Sequence, residues 1–138
     1  MALKHIRSAG PNDVSSYQLA GVPYVTSSAG GEVGTAPVKV TFPFVTRFFT
    51  VQNTTEHPLR IGFTENGING SVTSNYLVLS GNQTTGRLEL RCKKLYFRRD
   101  GVTNSGFSLI AGLTGISHEQ FPVITGTFDN TGSFEGVG

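Results

Sequence analysis

The stretch RLELRCKKLYFRRDG, from Arg87 to Gly101, alternates apolar and polar residues with a single interruption. Leu88, Leu90 and Cys92 alternate with Glu89, Arg91 and Lys93, the period of two expected of a half-buried strand. Lys94 breaks the pattern, and Leu95 and Phe97 resume it at the other parity. One inserted residue at Lys93 and Lys94 restores both faces, so the spacing predicts one long strand with a β-bulge there. Its inner side would carry Leu88, Leu90, Cys92, Leu95 and Phe97. Arg91, Lys93, Lys94, Tyr96 and Arg98 would share the outer side, up to the turn at Arg99-Asp100-Gly101.

The flanking sequence has the same character. In VKVTFPF, Val38, Val40, Phe42 and Phe44 alternate with Lys39, Thr41 and Pro43. Pro43 cannot donate to a ladder and should sit at an edge or a break. The apolar parity then shifts to Val45, Phe49 and Val51, which predicts a bend that lets one ribbon serve two parts of a sheet. LRIGFT places Leu59, Ile61 and Phe63 inward, with Arg60 and Gly62 outward. ENGINGSVTS holds two Asn-Gly pairs and predicts tight turns with positive φ. NYLVLS, with Leu77 and Leu79 alternating with Tyr76 and Val78, reads as a strand that GNQTTG returns. GFSLIAGLTGI puts Phe107, Leu109 and Ala111 on one face and Ile110 on the other, and a further strand is expected around Val123 to Phe128. No window shows a sustained 3.6-residue apolar period. The class is therefore all-β: an antiparallel two-sheet sandwich of seven or eight strands.

A chain of 138 residues fits one domain. Residues 1–35 read as a flexible N-terminal arm with a short ordered piece around Leu19 to Val25, and residues 36–138 as the sandwich domain. Charged residues make up only 14% of the chain and Gly reaches 18, so the surface is largely neutral and polar, as suits packing among neighbours. The net charge of +2 is unevenly spread: Arg87 to Arg99 carry six bases against Glu89, which leaves −3 for the rest. From Glu119 onward there are three acids and no Lys or Arg. Such polarity suits contact with another copy or with a phosphate backbone.

Cys92 is the single cysteine, so no intrachain disulfide is expected, which weakly indicates an intracellular setting. MALKHIRSAG has no signal-peptide core, and no run approaches a membrane span. Asn53, Asn69 and Asn82 begin N-x-[ST] triplets, read as a by-product of abundant Ser and Thr. His5, His57 and His118 lack metal-ligand spacing, SSAGGEVG lacks a P-loop ending, and there is no G-x-S-x-G nucleophile. Glu56, Glu65 and Glu89 are the carboxylates conceivable as an acid–base pair, and nothing in the sequence favours that use. No enzyme, cofactor or metal is expected. The residues singled out for contact with a partner or with phosphate are Arg87, Arg91, Lys93, Lys94, Tyr96, Arg98 and Arg99, with Tyr96 as the one outward ring available for stacking.

The segments VTFPFVTRFFTVQNTTEHPLRIGFTENG, NYLVLSG, RLELRCKKLYFRRDG and GFSLIAGLTGI together resemble the small jelly-roll proteins that build or decorate icosahedral virus and phage particles, including penton and cement proteins. The resemblance spans about residues 36–128 and rests on strand spacing, polar Gly/Asn turns and scarce charge. It implies a single jelly roll and a non-enzymatic subunit of a virion, assembled in the host cell interior. Its partners would be copies of itself and other capsid proteins, with the arm reaching a neighbour. An immunoglobulin-like sandwich is the alternative fold. The alternative functions are a nucleic-acid-binding module using residues 87–99 and a glycan-binding sandwich using loops around Asn66 to Asn75.

Overall fold

The computed structural model describes residues 21–28, 31–70 and 74–120. The strand expected at Val123 to Phe128 and the first twenty residues of the arm lie outside them. Seven strands are described: β1 (Val22–Ser27), β2 (Val38–Thr41), β3 (Phe44–Asn53), β4 (Leu59–Gly62), β5 (Leu77–Leu79), β6 (Lys94–Arg99) and β7 (Phe107–Ser117). A short helix, α1 (Glu65–Asn69), follows β4, and a 3-10 turn, His118–Gln120, follows β7. The strands form two antiparallel sheets, ordered β1-β7-β3 and β2-β6-β4-β5. The all-β sandwich expected from the alternation is the observed architecture.

Residues 84–92 add an extended segment along the other edge of β3. Leu88 and Phe49 exchange N–H···O bonds at 2.8 and 2.9 Å, Thr84 bridges Gln52, and Thr46 N–H donates to Cys92 O at 3.0 Å. With that segment counted, the pairing is nested: β1 with β7, β2 with β6, β3 with 84–92, and β4 with β5. The described strands thus pair as one long antiparallel ribbon, doubled back between β4 and β5 and rolled up. Rolling brings β3 against β7 and β4 against β6, the two seams that complete the sheets.

This wiring corrects the reading of residues 87–99 as one bulged strand. The chain leaves the first sheet after Cys92, bends at Lys93 and enters the second sheet as β6. The ribbon's other arm crosses at the same level, between β2 and β3, at Phe42 and Pro43. Phe42 N–H donates to Lys93 O at 2.8 Å, tying the two crossings together. Facing sheets lie about 10 Å apart, so a chain passing between them must reverse which side points inward, and both parity shifts mark that step. In β3 the register slips on either side of Thr46. There the Thr46 hydroxyl takes over for the ladder, accepting from Cys92 N–H at 2.9 Å and donating to Leu90 O at 2.7 Å.

The core lies between the sheets, with Phe42, Phe49, Leu59, Leu95, Leu109 and Leu113 fully buried or nearly so. The Phe97 ring stacks on Phe107 of the opposite sheet, centroids 3.9 Å apart and planes within 9°. Part of the expected arm belongs to this body: Val22–Ser27 pair with β7, Tyr24 meets the Phe42 ring edge-on at 5.1 Å, and Val33 is buried and bonded to Ser105. The Asn-Gly pairs also differ from expectation. Thr64 caps a helix, its hydroxyl accepting from Gly67 N–H at 3.0 Å, so Asn66-Gly67 is helical. Only Asn69-Gly70 makes a left-handed turn, with Gly70 at φ 72°. Tertiary packing selects the helix: Ile68 is fully buried over Gly62, where an added Cβ would stand 3.2 Å from that of Ile68.

Candidate functional site: a dispersed basic row and an apolar groove

The seven residues expected to share one contact surface are distributed over both sheets. Arg87 and Arg91 belong to the exposed segment on the first sheet, and Lys93 sits at the crossing. Lys94, Tyr96 and Arg98 face outward from β6. Arg99 has the inward parity of Leu95 and Phe97 and closes the end of the strand. The expected continuous ridge is not formed, because the crossing turns its two halves onto different sheets.

Several of these side chains hold their own chain together. Arg98 Nη1 donates to Asn69 O at 2.7 Å and its Nε to Thr35 O at 2.9 Å. Arg60, opposite Arg98 in the register, donates from Nη1 to Ile68 O and Asn69 O at 3.1 and 3.2 Å, and from Nε to Asp100 at 2.8 Å. Two guanidiniums therefore satisfy the carbonyls at the C-terminal end of α1, where the helix dipole favours positive charge. Arg99 Nη1 binds Val102 O and the Asn104 side chain, each at 2.8 Å, and so shapes the 100–104 loop. Arg87 lies over the Phe48 ring at 4.3 Å and pairs with Glu89, which also meets Arg47.

Tyr96 does not stand free for stacking as the alternation predicts: it is only 8% exposed. The outward face of β6 opposite Gly62 is roofed by α1, whose formation the Asn-Gly pairs concealed in the sequence. Arg98→Ala is expected to cost about 1–3 kcal/mol, since a charge-assisted bond to a carbonyl is worth that much. Arg98→Lys should recover only part of it, because a single ammonium cannot span Asn69 and Thr35. Urea denaturation of the three proteins measures this, and an unchanged midpoint for Ala would contradict it.

Cys92 is buried beside Thr46, with Sγ 3.4 Å from Oγ1. Burial pushes its thiol from 9.0 up to about 11, and the Thr46 hydrogen bond opposes that only in part. A raised folded-state value means that the contribution is complete below the unfolded pKa and is lost as pH rises toward the folded one. Wild type should therefore lose about 2–3 kcal/mol between pH 9 and 11 from this group. Cys92→Ala should show a shallower alkaline slope of stability against pH, and equal slopes would refute the assignment.

The sequence does not signal a groove between β5 and the 84–92 segment, the outermost strands of their sheets among the described residues. It has a volume of about 420 Å³ and is lined by Phe49, Ile61, Phe63, Leu77, Leu88 and Leu90, with Ser74, Asn75 and Tyr76 at its polar margin. Leu77 and Leu90 were expected inward, and both follow the inward parity. They are nevertheless 52% and 44% exposed, because the sheets do not close over each other at this side. Size and lining suit an apolar side-chain row or a small apolar ligand.

The carboxylates Glu56, Glu65 and Glu89 are all exposed. Among the described residues no group of three His, Cys, Asp or Glu side chains could hold a metal ion, and no helix is long and apolar enough to cross a membrane. His57 is half-buried in the β3–β4 turn, and His118 Nδ1 lies 3.0 Å from Phe42 O. Comparison with known proteins finds no matching family model, no similar curated protein and no similar solved structure.

Proposed function

We propose that the chain is a jelly-roll structural subunit of a virus or phage particle, non-enzymatic and assembling with copies of itself and other coat proteins. The observation that carries this reading is the nested ribbon, whose pairing with 84–92 counted as a strand is the kind that a double Greek-key roll requires. Part of the outer face of the β1-β7-β3 sheet supports it. The patch of Val25, Ile110, Thr50, Gln52 and Ser108 carries no charge, and Val25 is 67% exposed, whereas Arg47, Arg87 and Glu89 stand together nearer the 84–92 segment. An uncharged patch of this kind can meet a neighbour without desolvating ions.

The nucleic-acid alternative loses its stacking ring with Tyr96 and a continuous charge row with the sheet crossing. Native mass spectrometry and light scattering over a salt series test the proposal. Discrete oligomers of closed symmetry are expected at high protein concentration, and Val25→Glu or Ile110→Glu should reduce them at least tenfold at equal concentration. A chain that stays monomeric under all those conditions overturns self-assembly. Salt-sensitive binding of single-stranded oligonucleotides without oligomers would favour the alternative.

A further inference from the structure

We infer that β1 pairs with β1 of a second copy, antiparallel about a two-fold axis at Val25, so that the β1-β7-β3 sheets of the two copies run on as one. The pairing rests on the self-assembly proposed above and names its contact. Among the described residues the outermost strands are β1 and the 84–92 segment in one sheet and β2 and β5 in the other. Strand edges that must stay single are kept short or charged. β5 has three residues, β2 has four with Lys39 exposed among them, and the 84–92 segment carries Arg87, Glu89 and Arg91. β1 has six residues, VPYVTS, and no charge.

The ladder of β7 shows which groups of β1 face outward. Thr54 N–H donates to Gly106 O at 3.1 Å, so the even-numbered residues of β7 turn their backbone groups toward β3. Ser28 N–H donates to Phe107 O at 3.0 Å and Gly21 N–H to Leu113 O at 2.8 Å, so the odd-numbered ones turn toward β1. In that register Val22, Tyr24 and Thr26 bond to β7, and Pro23, Val25 and Ser27 aim theirs at the outer edge. Pro23 fits this side, because its missing N–H leaves no gap in the β1–β7 ladder. With the axis at Val25, the two Val25 residues exchange both N–H···O bonds, and Ser27 N–H of each copy donates to Pro23 O of the other. Every outward N–H of β1 is then used, whereas an axis at Pro23 would centre on residues without a donor. The side chains agree, since Thr50, Ile110 and Val25 lie side by side across the outer face. The axis joins two such uncharged rows end to end and sets the Val25 side chains, 67% exposed in one copy, as a cross-strand pair. One strand edge covers less than a standard interface, so the pairing is concentration-dependent and suits one contact among several.

Amide hydrogen exchange on the full chain, measured by NMR at high and low protein concentration, tests the inference. Val25 and Ser27 amides are expected to exchange at least about tenfold slower at high concentration than at low, while Tyr24 and Thr26, bonded to β7, stay protected at both. Val25→Pro should abolish the concentration dependence at Ser27 and leave the β7 amides protected, because the β1–β7 ladder uses no N–H at that position. Val25→Cys should give a disulfide-linked dimer on mild oxidation, since a hydrogen-bonded pair holds its Cα atoms about 5.5 Å apart, within disulfide range, and Cys92 is buried. Protection of Val25 and Ser27 that persists unchanged on dilution would mean that one chain fills its own edge, and would overturn the inference. Oligomers in which those two amides exchange fast, or in which Val25→Cys stays unlinked, overturn it and leave self-assembly standing. A chain monomeric at every concentration overturns both.

Discussion

Phe97→Ala is expected to lower the unfolding free energy by about 3–5 kcal/mol, the range for truncating a buried aromatic. Phe97 is fully buried in β6, with Val38 and Ile61 opposite it on the two neighbouring strands. Its ring lies flat on Phe107 of the other sheet, so one side chain joins both layers. Removing it leaves a cavity bounded by three strands, and strands fixed in two ladders cannot collapse into it. A double-mutant cycle with Phe107→Leu should add a coupling of about 0.5–1.5 kcal/mol for the ring pair. The measurement is the urea midpoint at constant m-value. A loss under about 1 kcal/mol would mean that the two sheets do not meet at this ring pair.

That ring could be placed inward from the sequence alone, and so could Leu95, Leu59, Ile61, Phe107 and Leu109, because a period of two is a direct imprint of one buried face. The two parity shifts, at Pro43 and at Lys93-Lys94, were also visible. Their meaning was not, since a bulge within a sheet and a passage between sheets reverse parity in the same way. The distinction lies in the bond from Phe42 N–H to Lys93 O, which joins residues 51 apart in the chain and leaves no local trace.

The contact residues were less legible for a related reason. Charge and spacing identify Arg98 as surface-directed and Arg99 as part of the closing turn, but not the carbonyls that receive them. Those carbonyls belong to Thr35, Asn69 and Val102, and Asn69 became an acceptor only because Ile68 packed on Gly62 and made a helix of an Asn-Gly pair. The groove depends on where two edges fail to close, which no single strand's pattern encodes.

Asn53→Ala is expected to cost about 2–4 kcal/mol, because a buried amide that satisfies several backbone groups leaves them unpaired when removed. Asn53 ends β3 and is fully buried. Its Nδ2 shares two hydrogens among the carbonyls of His57, Leu79 and Ser80, at 2.7, 3.2 and 3.2 Å. Its Oδ1 accepts from the Thr55 N–H and hydroxyl, both at 3.0 Å, as an Asx turn does. One side chain thus ties the β3–β4 turn to the end of β5, where both arms of the ribbon pass from one sheet to the other. Asn53→Asp discriminates this role from simple space-filling. The carboxylate preserves shape and the bonds from Thr55, but it turns an acceptor toward three carbonyls in a buried site, so it should destabilise at least as much as Ala. Burial and those carbonyl dipoles raise its pKa, so its stability should recover as pH falls and decline as pH rises, opposite to a paired surface acid. Equal stability of the Asp variant and wild type at neutral pH would show that the three carbonyls do not depend on Nδ2. The same geometry makes Asn53 unavailable to any modifying enzyme in the folded chain, despite its N-x-[ST] triplet, because the nitrogen that would carry a glycan is the one holding the turn.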